Sequence, residues 1–141
     1  MTRSRFLHVP DARRVLMGRV RQAHTKPEVT VRRALHAKGY RFRLHRRDLP
    51  GSPDIVLPRH RMVIFVHGCF WHRHPGCRGA STPKTNSEYW VKKFIANVAR
   101  DERTAEELVE AGWRVVVVWE CETKCPDILE SILAERLVDK V

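Results

Sequence analysis

The stretch Val63-Ile64-Phe65-Val66-His67-Gly68-Cys69-Phe70-Trp71-His72-Arg73-His74-Pro75-Gly76-Cys77 decides how this chain is read. A short apolar run with β-branched residues, the pattern of a buried strand, passes directly into three histidines, two cysteines and an adjacent pair of aromatics. Imidazoles and thiols at the end of a buried strand are costly unless something bonds them. A metal site beside a reactive centre accounts for the mixture.

On the N-terminal side, Asp54-Ile55-Val56-Leu57 reads as a second strand, joined to Met62–Val66 by a hairpin connection over 58–61. Before it, Leu49-Pro50-Gly51-Ser52-Pro53 is a turn, and Tyr40–Leu44 alternates like another strand. Thr25-Lys26-Pro27-Glu28 matches a capping box that starts a helix running to Lys38, with Val31, Ala34 and Leu35 inward and Gly39 as its stop. On the C-terminal side, 68–86 is a long Gly/Pro/Ser/Thr-containing loop, a length that calls for a function or a clamp. Ser87–Glu110 then forms a helix with Trp90, Phe94, Ile95, Val98, Leu108 and Val109 near helical spacing, closed by Gly112. Trp113–Trp119 is a central strand, and Pro126 opens an amphipathic helix through Ile128, Ile132, Leu133 and Leu137. The expected order is α-β-β-β-α-β-α around a small mixed sheet. Residues 1–24 read as a basic arm, and 25–141 as one domain.

The chain has 141 residues, enough for one core without disulfides. Its 27 Lys+Arg against 16 Asp+Glu leave a net charge of +11, which points to a polyanionic partner, nucleic acid before membrane. No helix joins a wide apolar face to a basic one, and no apolar stretch reaches membrane-spanning length. With no signal core after the basic N-terminus, a cytoplasmic protein is expected, and four cysteines there suit metal or free thiols better than disulfides.

Cys69-x4-His74-x2-Cys77 sits on the loop that needs a clamp, and Cys121 follows the strand ending at Trp119. Three thiolates and one imidazole make a tetrahedral zinc site, with Cys125 as the alternative fourth ligand to Cys121. His67 and His72 then remain for proton transfer near neutral pH. Asp54 is a hard ligand suited to Mg²⁺, and the carbonyl of Val66 at the neighbouring strand's end is a second. A turn or cap aspartate is the plain alternative for Asp54, and a capping-box partner for Glu28, which can otherwise orient a histidine or a water. Phe70 and Trp71 can stack on bases or pack over the metal loop. Lys84, Lys92, Lys93, Arg100 and Arg103 are phosphate contacts or solvated charges.

Leu-Pro-Gly-Ser-Pro-Asp54, Ile64–His72, Pro83-Lys-Thr-Asn86, Asn97-Val-Ala-Arg-Asp101, and Gly112-Trp-Arg-Val115 with Trp119-Glu-Cys121 occur in an order similar to that of the very short patch repair endonucleases. The resemblance runs from about Met17 to Cys121. It implies a bacterial, Mg²⁺-dependent enzyme with a restriction-endonuclease-like core and a structural zinc. Such an enzyme nicks double-stranded DNA 5′ of the thymine in a T·G mismatch, as a monomer, in association with mismatch-repair proteins and a cytosine methyltransferase. By motif, Asp54 and the Val66 carbonyl resemble the Mg²⁺ ligands, His67 and His72 the catalytic histidines, and Glu28 the glutamate that supports one of them, read here as His72. Cys69, His74, Cys77 and Cys121 resemble the zinc ligands. Phe70, Trp71 and Trp90 resemble aromatics that enter the mismatch, with Met17 wedging from the other groove and Lys93 and Asn97 near the mispaired bases. Val66 stands where threonine is frequent, a change that keeps the carbonyl. A restriction-like or structure-selective nickase and a zinc-clamped DNA-binding module without catalysis are the rival readings.

Overall fold

A computed structural model describes residues 25–138. The basic segment 1–24 and Met17 lie outside the described residues. Within them the order is α1 (Lys26–Ala37), β1 (Arg43–Leu44), β2 (Ile55–Leu57), β3 (Met62–His67), α2 (Ser87–Glu110), β4 (Arg114–Trp119) and α3 (Pro126–Arg136), the α-β-β-β-α-β-α sequence expected.

Local chemistry sets the element ends. Thr25 caps α1, its hydroxyl accepting from the Glu28 amide at 3.3 Å. Both α1 and α2 stop in the same way. Gly39 (φ 88°) and Gly112 (φ 90°) take the left-handed turn. Behind them the Tyr40 amide donates to the Leu35 carbonyl and the Trp113 amide to the Leu108 carbonyl. That six-to-one closure satisfies carbonyls the helix leaves open and turns the chain straight into a strand.

The sheet order is β1-β2-β3-β4, antiparallel from β1 to β3 and parallel between β3 and β4. β3 is therefore bonded on both edges. The two faces bury different residues. Ile55, Leu57, Met62, Ile64, Val116 and Val118 join Val31 and Leu35 of α1 and Leu129, Leu133 and Leu137 around α3. On the other face Val56 and Val63 pack with Leu108 and Trp113. Helices on both faces of a small mixed sheet make this an α/β fold of restriction-endonuclease-like class, and one parallel step at the β3–β4 pair brings His67 level with Trp119.

Four expectations are corrected. Trp113–Trp119, expected as a central strand, is an edge strand among the described residues, paired with β3 alone, and its apolar run is explained by packing on both faces of the sheet. The first strand is Arg43–Leu44 rather than Tyr40–Leu44, because its partner β2 is only three residues long and His45 (φ 47°) turns the chain away. On α2, Ile95 and Val109 are 64% and 59% exposed. A 24-residue helix spans roughly 36 Å, well beyond a six-residue strand of about 20 Å, so only one line of α2, through Trp90, Phe94, Asn97 and Leu108, is covered. On α3 the buried stripe is Leu129, Leu133 and Leu137, while Ile128 is 53% exposed. Spacing by four keeps one line on the sheet, and Ile128 sits one position off it.

Gly51 (φ 73°) brings the Leu-Pro-Gly turn against α2, where an added Cβ would meet Thr104 Cγ2 at 2.3 Å. Gly51→Ala is expected to lower unfolding stability by about 1–3 kcal/mol, from strain at positive φ and this overlap. Urea denaturation checks it, and an unchanged midpoint would show that the turn can move off the helix.

Candidate active site

Cys69, His74, Cys77 and Cys121 bring their ligand atoms within 4.8 Å of one another. His74 Nδ1 is 3.8 Å from Cys69 Sγ and 3.3 Å from Cys121 Sγ. Ligands held about 2.0–2.3 Å from one zinc ion in a tetrahedron stand roughly 3.5–3.8 Å apart, and the separations of His74 from Cys69 and Cys121 lie close to that range. Their acidities agree. Burial pushes the Cys121 thiol up to about 12, with Cys69 and Cys77 adding to it. Burial raises Cys69 as well, whereas the Gly79 amide leads in lowering Cys77. Packed thiols of this kind cannot all ionise without a cation among them. Cys125 is not in the group; it caps α3 one short turn further on.

The loop 68–86 has other anchors. Arg73, itself left-handed (φ 56°), donates to the carbonyls of Phe70, Ala80 and Ser81 and to Thr82 Oγ1. Its guanidinium lies 3.9 Å over the Phe94 ring of α2. Asn97, 6% exposed, donates from Nδ2 to the Trp71 carbonyl at 3.2 Å and accepts from Arg100 at 3.0 Å. Phe70 and Trp71 are half-buried and join Trp90 and Phe94 in a cluster with ring centroids 5.0–5.9 Å apart. Of the two readings open for Phe70 and Trp71, packing is what the structure shows, and Asn97 serves the loop's backbone. Lys93 is half-buried on the same helix.

At the other side of β3, Asp54 Oδ2 accepts from the Val66 amide at 2.7 Å. The N–H and C=O of one extended residue point to the same strand edge, so the Val66 carbonyl is directed to the side where Asp54 sits. Glu28, 1% exposed, does not reach His72. Its oxygens lie 3.0 and 2.9 Å from His45 Nε2, with Arg32 at 3.7 Å. The expectation that Glu28 orients His72 is corrected, because the turn at His45 places that ring over the first turn of α1. Glu28, His45 and Asp54 offer ligand atoms within 4.8 Å of one another. Burial pushes the Asp54 carboxyl up to about 6; the Val66 amide opposes this and the Glu28 charge adds to it.

His72 is held instead by Asp101 of α2, Nδ1 to Oδ2 at 2.6 Å. An Nδ1–H donated to a carboxylate leaves Nε2 as the basic nitrogen. His67 stacks on His72, centroids 3.8 Å apart and planes 6° from parallel. Parallel rings cannot aim lone pairs at one ion, so His67, His72 and Asp101 form a stacked dyad rather than a chelate. Burial holds His67 down to about 4, the neighbouring His72 adding to it and Asp101 opposing. A cavity of about 300 Å³ opens beside the pair, between α2 and the sheet, bounded also by Phe65, Val117 and Trp119.

His45 and Asp101 escaped the sequence reading. Asp101 lies four residues after Asn97 on the covered line of α2, where a carboxylate needs a partner; His45 follows a strand residue opposite Asp54. Both signals were local, and their partners were not.

An acid and an imidazole dyad gathered at the ends of adjacent strands, on a sheet of this order, define a nuclease of restriction-endonuclease-like fold. The family described as DNA mismatch endonuclease Vsr matches residues 6–78. The type II nicking enzyme V.XorIIP of Xanthomonas oryzae is 56% identical over 91% of this chain and 93% of its own length. The type II nicking enzyme V.NmeAIP of Neisseria meningitidis is 40% identical over 92% of this chain and 91% of its own, and the DNA mismatch endonuclease Vsr of Escherichia coli 39% identical over 93% and 84%. The chain belongs to the Vsr family of DNA endonucleases.

The two shifted groups act on stability with opposite signs. His67, held at about 4 against an ordinary 6.5, contributes stability above pH 6.5 that is lost as pH falls toward 4. Asp54, held at about 6 against 3.8, contributes stability at low pH that is lost as pH rises through 6. Over roughly pH 7 to 5, without divalent cation at Asp54, His67→Gln should therefore flatten the acid-side loss and Asp54→Asn should steepen it. Urea midpoints against pH for the three proteins check this; parallel curves would contradict the two assignments.

Proposed function

We propose that this endonuclease nicks one strand of double-stranded DNA 5′ of the thymine in a T·G mismatch, using Mg²⁺ at Asp54 and the Val66 carbonyl and a structural zinc at Cys69, His74, Cys77 and Cys121. The observation that carries the reading is the convergence at one end of the sheet of Asp54, the Glu28–His45 pair and the His67–His72–Asp101 dyad. Bound there, Mg²⁺ would neutralise charge on the phosphodiester and ease ionisation of the attacking water. His72 takes the proton from that water at Nε2, and Asp101 holds the ring in the needed tautomer. His67, uncharged at neutral pH, serves the phosphate as an N–H donor rather than as an acid, and keeps the His72 ring in place by stacking. Glu28, buried against His45, is the second carboxylate of the cation's surroundings.

Phe70, Trp71 and Trp90 form the surface assigned to the mismatched bases, with Lys93 and Asn97 behind them. The basic segment 1–24, with Met17, is assigned to the same duplex, and 25–141 to one endonuclease domain. The net charge of +11 supports a DNA substrate. One nicking centre suits a monomer acting in the bacterial cytoplasm alongside mismatch-repair proteins.

A second reading, nicking without mismatch selectivity, is favoured by the names of several relatives. A duplex carrying one T·G mismatch, its matched counterpart and a branched duplex, each with Mg²⁺ and with the cation withheld, separate the two. A Mg²⁺-dependent cut 5′ of the mispaired thymine alone is expected. Asp54→Ala should lose at least about 10²-fold in rate, and Asp101→Asn about 10–10²-fold. Equal cutting of matched DNA would favour the second reading, and full activity of Asp54→Ala would remove the metal assignment. Elemental analysis should find one zinc per chain, lost with cooperative unfolding in Cys77→Ser. A metal-free protein with an unchanged melting transition would contradict the structural role.

A further inference from the structure

The rings of the site form one continuous chain. His74, whose Nδ1 faces Cys69 and Cys121, lies flat on Trp119, centroids 4.4 Å apart and planes 13° from parallel. Trp119 and His67 meet edge to face, at 5.4 Å and 70°. His67 stacks on His72 at 3.8 Å, and His72 is bonded to Asp101 at 2.6 Å. No ring in this series is held by chance. Trp119 is level with His67 in the parallel register of β3 and β4, so their side chains leave the same face of the sheet. Its amide donates to Glu122 Oε1 at 2.8 Å, and Glu122 is in turn gripped by Arg136 at 2.8 and 2.7 Å. Arg136 also donates to the Val117 carbonyl at 2.8 Å, which pins α3 to the end of β4.

The consequence concerns freedom around the histidine pair. The cavity beside His67 and His72 is bounded by Trp119 as well, and on its α2 side Asp101 holds His72. On the other side stands an indole that is flat against a residue of the four-ligand cluster. A ring clamped by a cluster on one face and by backbone bonds at its base is a rigid wall. Offset-stacked and edge-to-face contacts also fix ring angle, which apolar packing alone does not.

We propose that Trp119 is a positioning residue, which carries the rigidity of the Cys69–His74–Cys77–Cys121 cluster to the His67–His72 pair and so sets the angle at which His72 presents Nε2. The cluster then does more than close the loop: it aligns the proton-handling rings. This rests on the reading of His72 as the base, so the test includes a measurement that does not depend on activity.

Trp119→Leu, Trp119→Phe and His74→Cys are made in the full chain and loaded with zinc. His74→Cys keeps four thiolate ligands and removes only the ring that Trp119 lies on. Zinc content, melting temperature and the ring signals of His67 and His72 are recorded by nuclear magnetic resonance, assigned with His67→Gln and His72→Gln. Turnover and KM are measured on the T·G duplex. In Trp119→Leu and His74→Cys, zinc is expected to stay at one per chain while the ring signals of both histidines shift and broaden. Turnover should fall ~10-fold or more with KM within about 2-fold. Trp119→Phe, which keeps a ring face, should recover most of both. Unmoved histidine signals in zinc-loaded His74→Cys would overturn the proposal, because the chain of rings would then not extend to the cluster. Unmoved signals and full turnover in Trp119→Leu would overturn it too. Should wild-type protein fail to nick the T·G duplex, the functional reading falls, while the ring signals still decide the coupling.

Discussion

Three sulfurs and one imidazole nitrogen drawn within 4.8 Å of one another set the condition on which the rest of this structure depends. The loop from 68 to 86 pairs with no strand, and its large apolar side chains, Phe70 and Trp71, gather at one end of it against Trp90 and Phe94. It would not stay folded on backbone bonds alone. Closing it through Cys121 attaches it to the end of β4, beside the strand from which it departs, and this brings His72 back over His67. Burial pushes the Cys121 thiol up to about 12 and raises Cys69, so these thiols ionise only as a cation takes the place of their protons.

Around that clamp the charges divide by neighbourhood. On one side of β3, Asp54 meets Glu28 and His45 in a place where carboxylates dominate and where burial resists ionisation, the setting for a hard cation. On the other, the His67–His72 stack meets one carboxylate, Asp101, and burial holds His67 down to about 4. Two adjacent strand ends thus present an acidic pocket and a basic nitrogen to the same region of space. Neither could be reached from a single element: Glu28 comes from α1, Asp54 from the start of β2, His67 from β3, His72 from the loop and Asp101 from the middle of α2.

The sequence made the fold legible where residue patterns are local. The Ser87–Glu110 helix, the order of elements along the chain and the Gly39 and Gly112 stops followed from periodicity and glycine alone, whereas the place of β4 at the sheet's edge did not. The metal cluster was legible too, because cysteine and histidine spacing is unusual enough to stand out from any packing pattern. What escaped was pairing across the sheet. Glu28 was paired with His72 in the sequence reading, since the motif carries both, yet the turn at His45 puts another imidazole closer. Asp101 looked like an ordinary helix carboxylate until α2 was laid across the sheet. Base stacking and packing stayed open for Phe70 and Trp71 because their partners, Trp90 and Phe94, lie about twenty residues away in the chain. Ile95, Val109 and Ile128 erred for a related reason: a period fixes that a helix has a buried line, and the neighbour fixes which line it is.

The central claim is that two metal ions serve one end of the sheet, one holding the loop and one bound where DNA is cut. Crystals grown with Mn²⁺ in place of Mg²⁺, measured at the zinc and manganese absorption edges, test this most directly. Two anomalous peaks are predicted: zinc among Cys69, His74, Cys77 and Cys121, and manganese beside Asp54 and the Val66 carbonyl. A zinc-free cluster, or manganese seated on His67 and His72 with nothing at Asp54, would contradict it.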